Sequence, residues 1–202
     1  EQVLSDVKVL DFTQDLAGPF CTKMLADYGA EVIKIERPVT GDRTRRYGPF
    51  PNDDPDPEKS GLFLFLNTNK KSVTLDLKTD IGRRIAKDLA KDAQIVVESF
   101  RPGTMERFGL GYKELEKTNP NLVMTSISTF GQTGPYGRKG GFDIIAQGMS
   151  GIMMMTGYPG GRPAKVGIAM NDIASGVTGT EIRSWVYRLK AMTAAPFRNG
   201  LM

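Results

Sequence analysis

Two short apolar runs on either side of one helical stretch constrain this chain most. VKVLDF (Val7 to Phe12) and AEVIKIE (Ala30 to Glu36) read as buried strands. Between them Cys21, Met24, Leu25 and Tyr28 make an apolar stripe at helical spacing. Pro19 suits the first helical turn, where a missing N–H costs nothing, and Gly29 ends the helix. A strand, a crossover helix and a second strand leave the two strands parallel. The expected class is therefore α/β, a parallel sheet with flanking helices.

The rest of the chain continues the alternation. Arg37 to Pro57 is a long polar connection carrying Arg37, Arg43, Arg45 and Arg46. It reads either as a solvated charge run or as guanidinium groups placed for phosphate or carboxylate, and the residues alone leave both open. Glu36, at the end of the second strand, reads as a salt-bridge or cap partner. Ser60 to Leu66 is apolar, and NTNKKS separates it from VTLDL (Val73 to Leu77). Asp80 is the expected cap of an amphipathic helix in which Ile81, Ile85 and Leu89 step at four residues. Ala93 to Phe100 and Leu122 to Ser128 read as further strands, with a short helix near Tyr112 to Lys117 between them. A glycine-rich loop follows, and Ile144 to Met155 reads as helix with its methionines packed in the core. Glu181 to Ala191 reads as one last helix, with Ile182, Trp185 and Leu189 on a face.

Composition narrows the chemistry. The chain has 202 residues, no histidine and one cysteine. Imidazole bases, His-ligated metals and internal disulfides are thereby excluded, and nucleophiles must come from Asp, Glu, Ser, Thr, Lys, Tyr or Cys21. Cys21 reads as core. The net charge of +4 is dispersed, which argues weakly for anionic ligands and against nucleic acid. No apolar run approaches membrane-spanning length. The dinucleotide fingerprint is missing, because the first loop holds a single glycine, Gly18. No signal peptide is legible, and the lone cysteine suits a reducing compartment. The expected location is the cytoplasm, or the mitochondrial matrix if a transit segment has been removed.

One later stretch, KVGIAMNDIASG (Lys165 to Gly176), carries a possible site. Val166, Ile168 and Met170 alternate with small residues, as in a short buried strand that ends at Asn171-Asp172. A carboxylate at such a strand end sits where parallel sheets place their chemistry. Asn and Asp before a small-residue run are also ordinary helix caps, and the stretch alone does not separate the two.

The ordered set VLDFTQDLAGPFCTKMLADYGAEVIKIERPVTGDRTRRYGP, FLNTNKKSVTLDLK, VVESFRPGTMERFGLGY, SISTFGQTGPY, GFDIIAQGMSG and VGIAMNDIASG resembles the class III coenzyme A transferases. The resemblance covers Leu4 to Gly176. It implies a Rossmann-like CoA-binding and catalytic domain over residues 1–176, with 177–202 an atypical helical tail and the family's second domain absent. It implies transfer of CoA from an acyl-CoA to a carboxylic acid, with a dicarboxylate as the leading candidate, through a covalent intermediate on Asp172. CoA and acyl-CoA are then substrates, with no tightly bound cofactor and no metal. The implied contacts are Gln14, Asp15, Leu16 and Ala17 at the thiol end, Arg37 at the nucleotide, and Leu75 and Lys78 on the adenine side. Ser99 (where Asn is usual), Phe100 and Arg107 are further CoA contacts, and Asp143 orders the surroundings of Asp172. Arg138 and Lys139 stand just before Gly140, where one branch of the family has a basic residue near the thioester. The related racemases use a histidine where Phe142 stands, and a phenyl ring shuttles no proton. The implied assembly is a homodimer, interlocked in the full-length form. The alternative is a non-catalytic CoA-binding or interaction protein of the same lineage.

Overall fold

In the computed structural model, which describes residues 2–181, five parallel strands make one sheet in the order β3-β2-β1-β4-β5. The strands are β1 (Lys8–Asp11), β2 (Glu31–Glu36), β3 (Lys70–Thr74), β4 (Ile95–Glu98) and β5 (Val123–Ser126). α1 (Ala17–Asp27) crosses from β1 to β2, and α3 (Asp80–Lys91) leads from β3 to β4. Short helices α2 (Gly61–Leu66), α4 (Thr104–Arg107) and α5 (Tyr112–Leu115) fill the connections. α6 (Asp143–Met149) follows β5, and a helix α7 occupies residues 170–181. α7 runs through position 176 without a break, so the expected domain boundary falls inside a helix.

Successive strand residues face opposite sides and both sides are covered, as a parallel sheet requires. Val9, Val32, Ile95 and Val97 pack with Cys21 and Leu25 of α1 in one core. Leu10, Ile35 and Val96 pack on the other face with Ala86 and Ala90 of α3, Met105 and Leu115. α7 lies on α1: Thr180 Oγ1 donates to Cys21 O at 3.1 Å, and a Cβ at Gly176 would come 2.9 Å from Ala17 O. Glycine at 176 is what lets the two backbones approach.

Several expectations are corrected. Thr79, not Asp80, caps α3, with Oγ1 accepting from Gly82 N at 3.1 Å. The buried stripe of α3 is Gly82, Ala86 and Ala90, while Ile81 is 64% exposed. The small face wins because the helix sits close to its neighbours; a Cβ on Gly82 would lie 2.1 Å from Asp76 O. Val166 to Ala169 is irregular rather than a buried strand, Met170 opens α7, and Ile168 is 58% exposed. Its apolar alternation finds no neighbouring strand, and its Val166 N–H donates instead to Gln147 Oε1 at 2.9 Å. The helix expected over Ile144 to Met155 divides at Gly151 into α6 and a 3-10 turn (Ile152–Met155). Met149, Met154 and Met155 are exposed, so the methionine run is not core. α6 buries Asp143 and Gln147 instead, a polar face held by hydrogen bonds. The helix expected over Glu181 to Ala191 lies outside the described residues apart from Glu181.

A buried charged layer underlies the carboxyl ends of β1 and β2. Lys34 Nζ pairs with Asp42 Oδ2 at 2.8 Å and donates to Thr13 O at 2.9 Å. Lys70 Nζ pairs with Asp11 Oδ2 at 3.2 Å, and Asp11 Oδ1 accepts from Thr13 N at 2.8 Å. Glu36 takes Arg45 through both oxygens, at 2.8 and 2.9 Å, so it is a salt-bridge acid. Burial alone would raise the Glu36 carboxyl, but hydrogen bonds from Arg45, Ser72 and Asp42 N outweigh it and hold the group at about 2. A depressed carboxylate pKa stabilises the fold above the unfolded value and ceases to do so as pH falls through the folded one. Glu36→Gln is therefore expected to cost about 2–4 kcal/mol at neutral pH. Denaturant unfolding across pH should show that deficit shrinking as the pH falls below about 4.

Candidate active site

The strand order reverses beside β1, between β1 and β4, and a cleft of about 450 Å³ opens there at the carboxyl ends of the strands. The loop after β1 brings Gln14, Asp15, Leu16 and Ala17, and the loop after β4 brings Ser99, Phe100 and Arg101. Gln14 N donates to Ser99 Oγ at 3.2 Å, which ties the two loops together. Arg37 and Arg43 enter from beyond β2, Ser128 and Thr129 from beyond β5, and Lys139 to Asp143 from the entry to α6. Asn171, Asp172 and Ser175 come from α7.

Asp172 is half-buried in the first turn of α7. The start of that helix is held from outside by Asp143, whose Oδ1 accepts from Asn171 N at 2.8 Å and Asp172 N at 3.4 Å. These are backbone donors that a helix start leaves without intrahelical partners. Gln147, one turn along α6, donates to Asp143 Oδ2 and to Ile168 O, so Asp143 is itself fixed. Burial pushes the Asp172 carboxyl up to about 6, and the nearby charges of Asp143 and Asp15 push the same way. The result is a carboxylate in a cleft, ionised at neutral pH yet less satisfied than a surface acid. Asp15 adopts a left-handed backbone (φ 65°), an uncommon conformation for a residue with a side chain.

The cleft thus gathers Gln14, Asp15, Leu16, Ala17, Arg37, Ser99, Phe100, Lys139, Asp143 and Asp172 from the sequence-derived set. Leu75, Lys78, Arg107 and Arg138 do not line it. Leu75 packs against the core on the α3 side of the sheet, and Arg107 Nη2 donates to Thr104 Oγ1, whose residue is part of the wall. Lys139 Nζ lies over the Tyr136 ring at 4.5 Å. Arg101, Ser128, Thr129 and Ser175 line the cleft without having been singled out. Arg101 and Ser128 lie within three positions of a strand's carboxyl end, and that placement was the available signal. Phe142 also lines the cleft and is exposed. Among the described residues no cluster of His, Cys, Asp or Glu is arranged to hold a metal ion. Nor is any described helix long and apolar enough to cross a membrane.

With this geometry in hand, three kinds of similarity bear on the chain. The family model described as CoA-transferase family III matches residues 4–181. The succinyl-CoA:glutarate CoA-transferase of Mus musculus is 46% identical over 86% of this chain and 39% of its own length. The succinyl-CoA–D-citramalate CoA-transferase of Chloroflexus aurantiacus is 46% identical over 84% of this chain and 41% of its own. A CAIB/BAIF family protein from Brucella suis superposes with a TM-score of 0.88 at 37% identity, over 95% of this chain and 50% of that one. The chain spans about two-fifths of the length of the curated relatives it matches.

Proposed function

The chain belongs to CoA-transferase family III, and on that premise we propose that its cleft moves CoA from an acyl-CoA to a free carboxylic acid through a covalent intermediate on Asp172. The observation that carries this is the Asp172 carboxylate, half-buried in the cleft and pushed up to about 6. A carboxylate suits the reaction because the anhydride it forms is reactive enough to be opened by a thiolate. An Asp172 oxygen attacks the thioester carbonyl carbon, the C–S bond breaks, and CoA leaves as thiolate. The thiolate attacks the aspartyl carbonyl of the anhydride, releasing the donor acid and leaving an aspartyl-CoA thioester. The acceptor carboxylate attacks that thioester, and the same steps in reverse release the new acyl-CoA and free Asp172.

Within the Gln14 to Ala17 loop the N–H groups of Gln14 and Asp15 already meet Ser99 and Asp42, so those of Leu16 and Ala17, with Gly140 and Gly141, are the candidates for receiving the developing oxyanions. Arg37 and Arg101 supply cationic donors for CoA phosphates. Asp143 positions Asp172 through its two backbone contacts. Leu75, Lys78 and Arg107 belong to the same reading as more distant CoA contacts, Lys139 of the cleft wall and Arg138 beside it are its candidates for a basic group near the thioester, and a homodimer belongs to it too. No imidazole stands beside Asp172, so proton shuttling at a substrate α-carbon is the weaker reading.

A second reading, CoA binding without turnover, is favoured by the exposed apolar side chains beside the cleft, namely Phe142, Ile144, Ile168 and Met170. An uncovered site would admit water to an anhydride. Incubation with succinyl-CoA and an isotopically labelled acceptor acid separates the two. Labelled acyl-CoA is the result expected of a transferase. CoA binding with no label transferred would leave only the second reading.

A further inference from the structure

Resting on the reading of this cleft as an acyl-CoA site, we propose that Arg43 and Asp15 form a carboxylate subsite within it. The Arg43 guanidinium takes the second carboxylate of a dicarboxylic acyl group, and the Asp15 carboxylate tempers how tightly it is held.

The contrast between Arg43 and Arg45 carries the argument. Arg45 is mostly buried and grips Glu36 through two short hydrogen bonds, so it is committed to the fold. Arg43, two residues earlier, meets Asp15 through one contact of 3.4 Å, with side chains 51% and 36% exposed. Both residues line the cleft. A single long contact leaves most of the guanidinium donors unused, and their fork geometry matches an incoming carboxylate.

The mount beneath the pair is rigid although the pair itself is loose. Asp42, directly before Arg43, is fully buried and held by the Lys34 ammonium at 2.8 Å. Its Oδ1 accepts from Thr44 N at 2.9 Å and from Asp15 N at 3.4 Å. One buried carboxylate therefore holds the turn that carries Arg43 through a short bond and reaches the left-handed turn at Asp15 through a longer one. A flexible surface pair would not be anchored in this way. The subsite also lies toward the reacting end of the cleft, since Asp15 is near enough to Asp172 for their charges to repel.

Succinyl-CoA and butyryl-CoA have acyl groups of equal length that differ in a terminal carboxylate against a methyl group. Calorimetric titration of both into the full chain reads the subsite directly. The unaltered chain should bind succinyl-CoA about tenfold more tightly. Arg43→Gln should erase that preference and leave butyryl-CoA affinity unchanged. Asp15→Asn should widen the preference, because a competing negative charge is gone. If the preference survives Arg43→Gln, or if both thioesters weaken equally, the subsite is wrong while the acyl-CoA site stands; equal weakening would mark Arg43 as a CoA phosphate contact. If neither thioester nor free CoA binds the unaltered chain, the acyl-CoA reading falls and the subsite with it.

Discussion

Asp172→Asn is expected to lower CoA exchange by at least about a thousandfold while leaving CoA affinity nearly unchanged, the pattern left by removing only a reacting group. The amide keeps the shape of the carboxylate but is no nucleophile. The unaltered protein should also show a distinctive pH dependence. In the proposed mechanism only the ionised form attacks, and Asp172 is pushed up to about 6 by burial first and then by Asp143 and Asp15. Exchange should therefore rise with pH through about 6 and level off above it. Asp143→Asn keeps an acceptor for Asn171 N and Asp172 N but removes one negative charge. That variant should carry the acidic limb to lower pH. A rate loss without movement of the limb would show that Asp143 acts through position alone. Steady-state exchange rates across pH for the three proteins provide the measurement.

The second large effect concerns stability. Lys34→Met is expected to destabilise the fold by about 3–5 kcal/mol, because it leaves Asp42 buried and charged with its cation removed. The Lys34 and Asp42 side chains are 1% and 0% exposed, so water cannot replace the lost partner. Adding Asp42→Asn to Lys34→Met should recover part of the loss, since a neutral amide costs less to bury than a lone carboxylate. Equilibrium unfolding in denaturant tests both. A cost below about 1 kcal/mol for Lys34→Met would mean that the pair behaves like an exposed one. The Gln14 to Ala17 loop should loosen with it, because Lys34 also holds Thr13 O.

Most of the sheet was legible because its strands announce themselves. β1, β2, β4 and β5 are apolar runs at the expected places, and the first crossover fixes parallel pairing. β3 was harder to see. It occupies Lys70–Thr74, inside a polar stretch, because an edge strand aligned with β2 needs no apolar pattern of its own. The misread elements share a cause. Ile81 and Ile85 on α3, and the apolar residues from Val166 to Met170, carry a periodic signal that tertiary packing does not use. Periodicity tells which residues share a face, and it does not tell which face meets the sheet.

The site divides in the same way. Gln14 and Ser99 come from the family resemblance, and their places just past strand ends agree with where the topology opens a cleft. Asp143 holding the start of α7 depends on a contact across 28 positions. The Arg43–Asp15 pairing depends on a left-handed turn and a buried lysine that no local pattern marks.

The proposed mechanism requires that Asp172 become acylated. Incubating the protein with succinyl-CoA, quenching with hydroxylamine and mapping the modified peptide by mass spectrometry addresses this directly. The expected result is a hydroxamate on Asp172, formed from either the anhydride or the aspartyl-CoA thioester, and absent from Asp172→Asn. Exchange activity accompanied by a hydroxamate on another residue, or by none, would contradict it.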